Sequence, residues 1–139
     1  MKNISFTCKA FICFSIFVAQ FAFAANWTIT DRNEKLIVFM DLNSVRLTEK
    51  NLRQAWFLTD YNEVQKIDGY PQYKSFKELV KFDCKNGTMG TIKLILFPEM
   101  NGSGDAVFSE DRTLKLTAYV PDSIGESKFI EVCKLKLKK

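Results

Sequence analysis

Ser75-Phe-Lys-Glu-Leu-Val-Lys-Phe-Asp-Cys84, then Lys85-Asn-Gly-Thr88, then Met89-Gly-Thr-Ile-Lys-Leu-Ile-Leu-Phe97, is the stretch on which the fold turns. Successive strand side chains point to opposite faces, so Phe76, Val80, Phe82 and Cys84 share one side of the first arm. Ser75, Lys77, Lys81 and Asp83 share the other. Asn86-Gly87 supplies a turn signal, because both residues tolerate the positive φ of a tight hairpin. Ile92, Leu94 and Leu96 carry the alternation through the return arm. The expectation is a hairpin whose first arm ends in a cysteine on its apolar face.

The chain before this hairpin reads as three further strands. Asn26 to Thr30 alternates, with Trp27 and Ile29 on one side and Trp27 expected in the core. Lys35 to Met40 is a β-branched run without polar alternation, which suggests an inner strand covered on both faces. Asp41 to Ser44 reads as a turn, and Leu52 to Tyr61 as a strand centred on Ala-Trp-Phe-Leu. Ile67 to Lys74, with Gly69, Pro71, Tyr70 and Tyr73, reads as a loop.

After the hairpin, Pro98 to Asp105 reads as a flexible connection, followed by short strands at Ala106 to Ser109 and Leu114 to Val120. Pro121-Asp-Ser123 changes the pattern to helix-start chemistry, with Glu126 three residues beyond Ser123 in a capping-box relation. Phe129, Ile130 and Cys133 are then expected on the helix face that packs against the sheet. The closing Lys-Leu-Lys-Leu-Lys-Lys fits a helix end, an edge strand or a frayed tail, and the sequence leaves these open. The fold class is α+β: a twisted antiparallel sheet of about six strands with one C-terminal helix packed on it.

Residues 1–24 stand apart from the fold. Lys2 precedes an apolar run from Ala10 to Ala24, and Ala22-Phe-Ala24 has the small-x-small form of a signal-peptidase site. Residues 1–24 therefore read as a signal peptide and residues 25–139 as a single domain. The competing reading, an uncleaved anchor, is weakened by Lys9, which leaves too short a run to span a bilayer. Of the 20 Lys and Arg, Lys2 and Lys9 leave with the leader, and Lys134, Lys136, Lys138 and Lys139 form a terminal tail. Without leader and tail the domain has no basic excess, which excludes a nucleic-acid binder with a basic stripe across its body.

Cys8 and Cys13 fall in the leader, leaving Cys84 and Cys133. Two cysteines in an exported domain read as one disulfide tying sheet to helix. Two free thiols or a shared metal are the alternatives, and a chain with no histidine makes a poor metal site. No cofactor or metal is expected.

The catalytic inventory is thin. Without histidine the usual general base is missing. Asp41, Asp60 and Asp83 lie near strand ends, where they read as turn caps rather than an acid pair. The chain is therefore read as a non-enzyme. Two features suit binding instead: Tyr70 and Tyr73, with Tyr61, offer aromatic groups of the kind found at protein interfaces, and Lys134, Lys136, Lys138 and Lys139 offer charge.

Several short elements occur together in order: Trp27, Asp41-Leu-Asn-Ser44, Asp60-Tyr61, Tyr73-Lys-Ser75 leading to Phe82-Asp-Cys84, Pro121-Asp-Ser123, and Cys133. In this the chain resembles the surface-adhesin protein E family, small exported domains of Gram-negative envelopes that pair an antiparallel sheet with a C-terminal helix. The resemblance implies a non-enzymatic envelope protein that binds host extracellular-matrix or serum proteins, with a homodimer allowed, in the periplasm or on the outer cell surface. One departure bears on location. The adhesin that names the family is lipid-anchored, whereas Cys13 follows Phe11-Ile12 and lacks the small residue a lipobox requires just before its cysteine. A soluble periplasmic accessory or inhibitor role is therefore the second reading.

Overall fold

A computed structural model describes residues 24–137 apart from residue 49. Almost all of the leader assigned to residues 1–24, and Lys138 and Lys139 of the tail, lie outside the described residues. Eight strands and one α-helix follow in order: β1 Trp27–Arg32, β2 Leu36–Asp41, β3 Arg46–Leu47, β4 Arg53–Gln65, β5 Tyr73–Asp83, β6 Thr88–Phe97, β7 Phe108–Asp111, β8 Thr117–Ala118 and α1 Ile124–Lys134. Six of the strands form an antiparallel meander in the order β1-β2-β4-β5-β6-β7. The two-residue strands β3 and β8 flank the ends of β4 and β6. The α+β class and the C-terminal helix are as the sequence implies.

Alternation explains which face is covered. Leu36, Val38, Met40, Ala55, Phe57, Val80 and Phe82 project to one side and pack against Phe129 and Val132 of α1. The Cys84–Cys133 disulfide closes the same layer, with Cα atoms 5.6 Å apart. Closing a loop over a sequence separation of 49 contributes about 4 kcal/mol in the chain-entropy model.

The two ends of α1 are fixed by polar contacts. Ser123 Oγ accepts from the Glu126 amide at 3.3 Å, and the Glu126 carboxylate accepts from the Asp122 amide at 2.8 Å. At the far end the Arg53 guanidinium donates to the Val132 and Leu135 carbonyls at 2.6 and 2.7 Å, satisfying acceptors that the last helical turn leaves open. Ile130 is 50% exposed, contrary to the expected face. Val132 and Lys128 point inward instead, because residues 128, 129 and 132 share the inner stripe at helical spacing.

Four other expectations are corrected. β2 alternates between buried and half-buried residues, because α1 covers only one face of the sheet. Trp27 lies by register on the opposite face, where the Lys77 ammonium stands 5.9 Å from its ring and 5.1 Å from that of Phe97. Tyr73 opens β5 rather than ending a loop, with Pro71 outside the ladder. The segment from Leu114 to Val120 forms strand only at Thr117–Ala118.

The hairpin turn is longer than Asn86-Gly87 suggests. Asp83 pairs with Thr88, leaving a four-residue loop in which only Gly87 takes positive φ, at 68°. Asp83 organises that loop: its carboxylate accepts from the Lys85 and Asn86 amides, both at 3.1 Å, and from the Asn86 side chain at 2.7 Å. Those bonds, that of the Asn86 side chain foremost, hold the Asp83 carboxyl below its ordinary pKa.

The connection after β6 is pinned rather than loose. Ser75 and Asp60, 0% and 2% exposed, are buried where the sequence suggests a polar strand face and a turn. Ser75 Oγ donates to the Glu99 carbonyl at 2.5 Å and accepts from the Gly102 amide at 3.0 Å. Asp60 accepts from the Asn101 amide at 2.7 Å. Buried hydroxyl and carboxylate groups need partners, and the loop backbone supplies them.

Candidate functional site

The meander draws three tyrosines into one place. Tyr61 comes from β4, Tyr73 opens β5, and Tyr70 lies in the loop between them. The ring centroids of Tyr61 and Tyr73 are 6.1 Å apart in an edge-to-face arrangement, and Phe76 lies 6.1 Å from Tyr61 and 6.3 Å from Tyr73. Tyr70 meets Phe108 of β7 edge to face at 5.2 Å. Such geometries match the positive ring edge to the negative ring face.

Together with Ile67, Glu78, Leu94, Leu96 and Arg112, these residues line a cleft of about 290 Å³. Its polar groups are few and fixed. The Arg112 guanidinium donates to the Tyr70 hydroxyl at 3.2 Å and to the Glu110 carboxylate at 2.7 Å. The bond to Glu110 foremost raises the Arg112 pKa further. Burial, then the neighbouring Tyr73 and Glu78, pushes the Tyr61 phenol up; burial, then Tyr70, does the same for Tyr73. Both phenols are therefore protonated at neutral pH and available as donors.

Glu78 forms part of the cleft wall and is buried. The Lys128 ammonium from α1 binds one of its oxygens, and Thr91 donates to the other at 2.8 Å. Lys128 also lies 5.3 Å from the Phe57 ring and 6.0 Å from that of Phe76. The cleft is thus an apolar, aromatic recess with a cationic rim, its one carboxylate already neutralised. It combines the side chains best suited to hold a partner, since aromatic and arginine anchors dominate binding energy at interfaces.

Of the binding residues singled out from sequence, the structure brings Tyr70 and Tyr73 together in this cleft and leaves Lys134 and Lys136 out of it, while Lys138 and Lys139 lie outside the described residues. Lys134 is exposed and pairs with Glu131 at 2.5 Å, and Lys136 is exposed beyond the helix. Arg112, Glu78 and Lys128 were missed. Glu78 carried a readable signal: a carboxylate at an inward position between Phe76 and Val80 demands a buried cation.

An open antiparallel sheet and a helix fastened to it by a disulfide, with an aromatic cleft on the same layer, define a disulfide-tied α+β fold. The surface-adhesin protein E family model matches residues 27–134, and the chain belongs to that family. Membership supports an adhesin-like surface or exported protein. Neither the curated proteins nor the solved structures yield a match. Among the described residues no helix is long and apolar enough to cross a membrane.

Proposed function

We propose that this domain is a non-enzymatic adhesin-like module that binds a host extracellular-matrix or serum protein through its aromatic cleft. The observation that carries the reading is the convergence of Tyr61, Tyr70, Tyr73 and Phe76 with Arg112. Family membership supports it. In this reading residues 1–24 are a signal peptide removed on export, and the domain acts alone or as a homodimer, which light scattering of the purified protein distinguishes.

A panel of immobilised matrix and serum proteins tests the proposal. At least one should retain the protein, and Tyr70→Ser should lose that retention while the domain still unfolds cooperatively, with only the small loss of stability that the Phe108 and Arg112 contacts imply. Retention of none, or retention indifferent to Tyr70, contradicts the reading.

The Phe11-Ile12-Cys13 sequence favours a second reading, a soluble periplasmic accessory protein without a host ligand. Protease treatment of intact cells separates the two: digestion supports surface display, and protection until the outer membrane is opened supports the periplasmic role.

A further inference from the structure

The aromatic cleft continues past Arg112. A second depression, of about 410 Å³, shares Arg112 with the first and is lined also by Met89, Gly90, Thr91, Thr113, Lys115 and Thr117. Chain topology creates it. β7 pairs with β6 as far as Lys93–Asp111, and β8 rejoins β6 at Met89–Thr117, so the edge chain spends more residues than β6 between the two ladders and bows away. Gly90 permits the crossing: a Cβ there would stand 2.4 Å from the Lys115 carbonyl oxygen.

The two recesses differ in chemistry. The first offers rings and protonated phenols; the second is lined by Arg112, Lys115, Thr113 and Thr117, with no carboxylate in its lining and the Thr91 hydroxyl turned to Glu78. The nearest acids in sequence are engaged, Glu110 with Arg112 and Asp111 with Lys93. Arg112 uses Nε for Glu110 and Nη2 for Tyr70, and Nη1 has no bond to a described residue. Lys115 is exposed and forms no ion pair with a described residue. Two cationic side chains on one depression, one of them with a free donor, can recognise carboxylates.

We propose that this depression is an acidic subsite of the cleft, and that the occupant of the whole is an acidic peptide segment of a partner protein. One aromatic or aliphatic side chain enters among Tyr61, Tyr70, Tyr73 and Phe76, and a neighbouring carboxylate faces Arg112 and Lys115. The assignment rests on the cleft reading above and adds the partner's chemistry to it. A small free anion would occupy only the Arg112–Lys115 end, whereas two adjoining recesses of opposite character suit an extended segment that carries both groups. A basic segment meets like charge at the rim, which disfavours it.

The test is nuclear magnetic resonance titration of the isotopically labelled protein, purified as an exporting cell processes it. Three blocked pentapeptides serve as probes, each a phenylalanine flanked on both sides by two glutamates, two serines or two lysines. The glutamate peptide should bind about 5-fold or more tightly than the serine peptide, as one partly exposed ion pair implies, and the lysine peptide least. Resonances of Tyr61, Tyr70, Phe76 and Lys115 should shift together. Lys115→Gln, at an exposed side chain, should remove most of the preference, and so should about 0.5 M NaCl.

Equal binding of the serine and glutamate peptides overturns the acidic subsite and leaves the cleft reading standing. No shift at the tyrosines with any peptide overturns both. Inorganic phosphate that binds as tightly as the glutamate peptide, shifting only the Arg112–Lys115 end, overturns the peptide assignment.

Discussion

Lys128 on α1 and Glu78 on β5 form an ion pair in the interior, a second tie between helix and sheet in addition to the disulfide, with Glu78 in the wall of the aromatic cleft. Removing one partner of a buried pair strands the other charge, whereas replacing both with apolar groups removes the desolvation penalty as well. Lys128→Met should therefore destabilise the domain by about 3–5 kcal/mol in urea unfolding. The double variant Glu78→Leu with Lys128→Met should recover most of that loss.

Reduction tests the other tie between the layers. Loss of the Cys84–Cys133 bridge should lower the unfolding free energy by about 4 kcal/mol, read from urea midpoints with and without reductant. In the oxidised protein both cysteines should resist alkylation until a reductant is added.

Acid titration should separate two aspartates of opposite sign. Burial foremost pushes the Asp60 carboxyl above its ordinary pKa, with the Asn101 amide and Lys77 partly offsetting the rise. The folded state then holds the proton more tightly than the unfolded chain. Its stabilising contribution is full below the ordinary carboxyl pKa and is lost as pH rises through the raised folded value. Asp83, held low by its turn bonds, contributes stability that is present above its ordinary pKa and lost as pH falls through the depressed value. Unfolding measured from pH about 3 to 7 should show the native protein gaining on Asp60→Asn as pH falls, and losing its margin over Asp83→Asn across the same descent.

What the sequence made legible was local. The alternation of Phe76, Val80, Phe82 and Cys84, the cap at Ser123 and the pairing of Cys84 with Cys133 each rest on a few residues or a single partner choice, and the structure keeps all three. What stayed hidden is long-range. Glu78 meets Lys128 across 50 residues, Asp60 meets Asn101 across 41, and Tyr70 meets Arg112 across 42. Only the completed meander sets those distances. Trp27 was misplaced because alternation shows that two faces differ without showing which one the helix will cover. The run from Leu114 to Val120 alternates like a strand but must bow around Gly90, whose contact with Lys115 no local pattern announces.

Hydrogen–deuterium exchange with and without a bound matrix or serum protein decides whether the tyrosine cleft is the contact surface. Residues 66–72 and 112–116, which border the cleft outside the strands, should slow their exchange in the complex. Protection confined to the opposite face, around Trp27, Trp56 and Phe97, with the cleft borders unchanged, would contradict it.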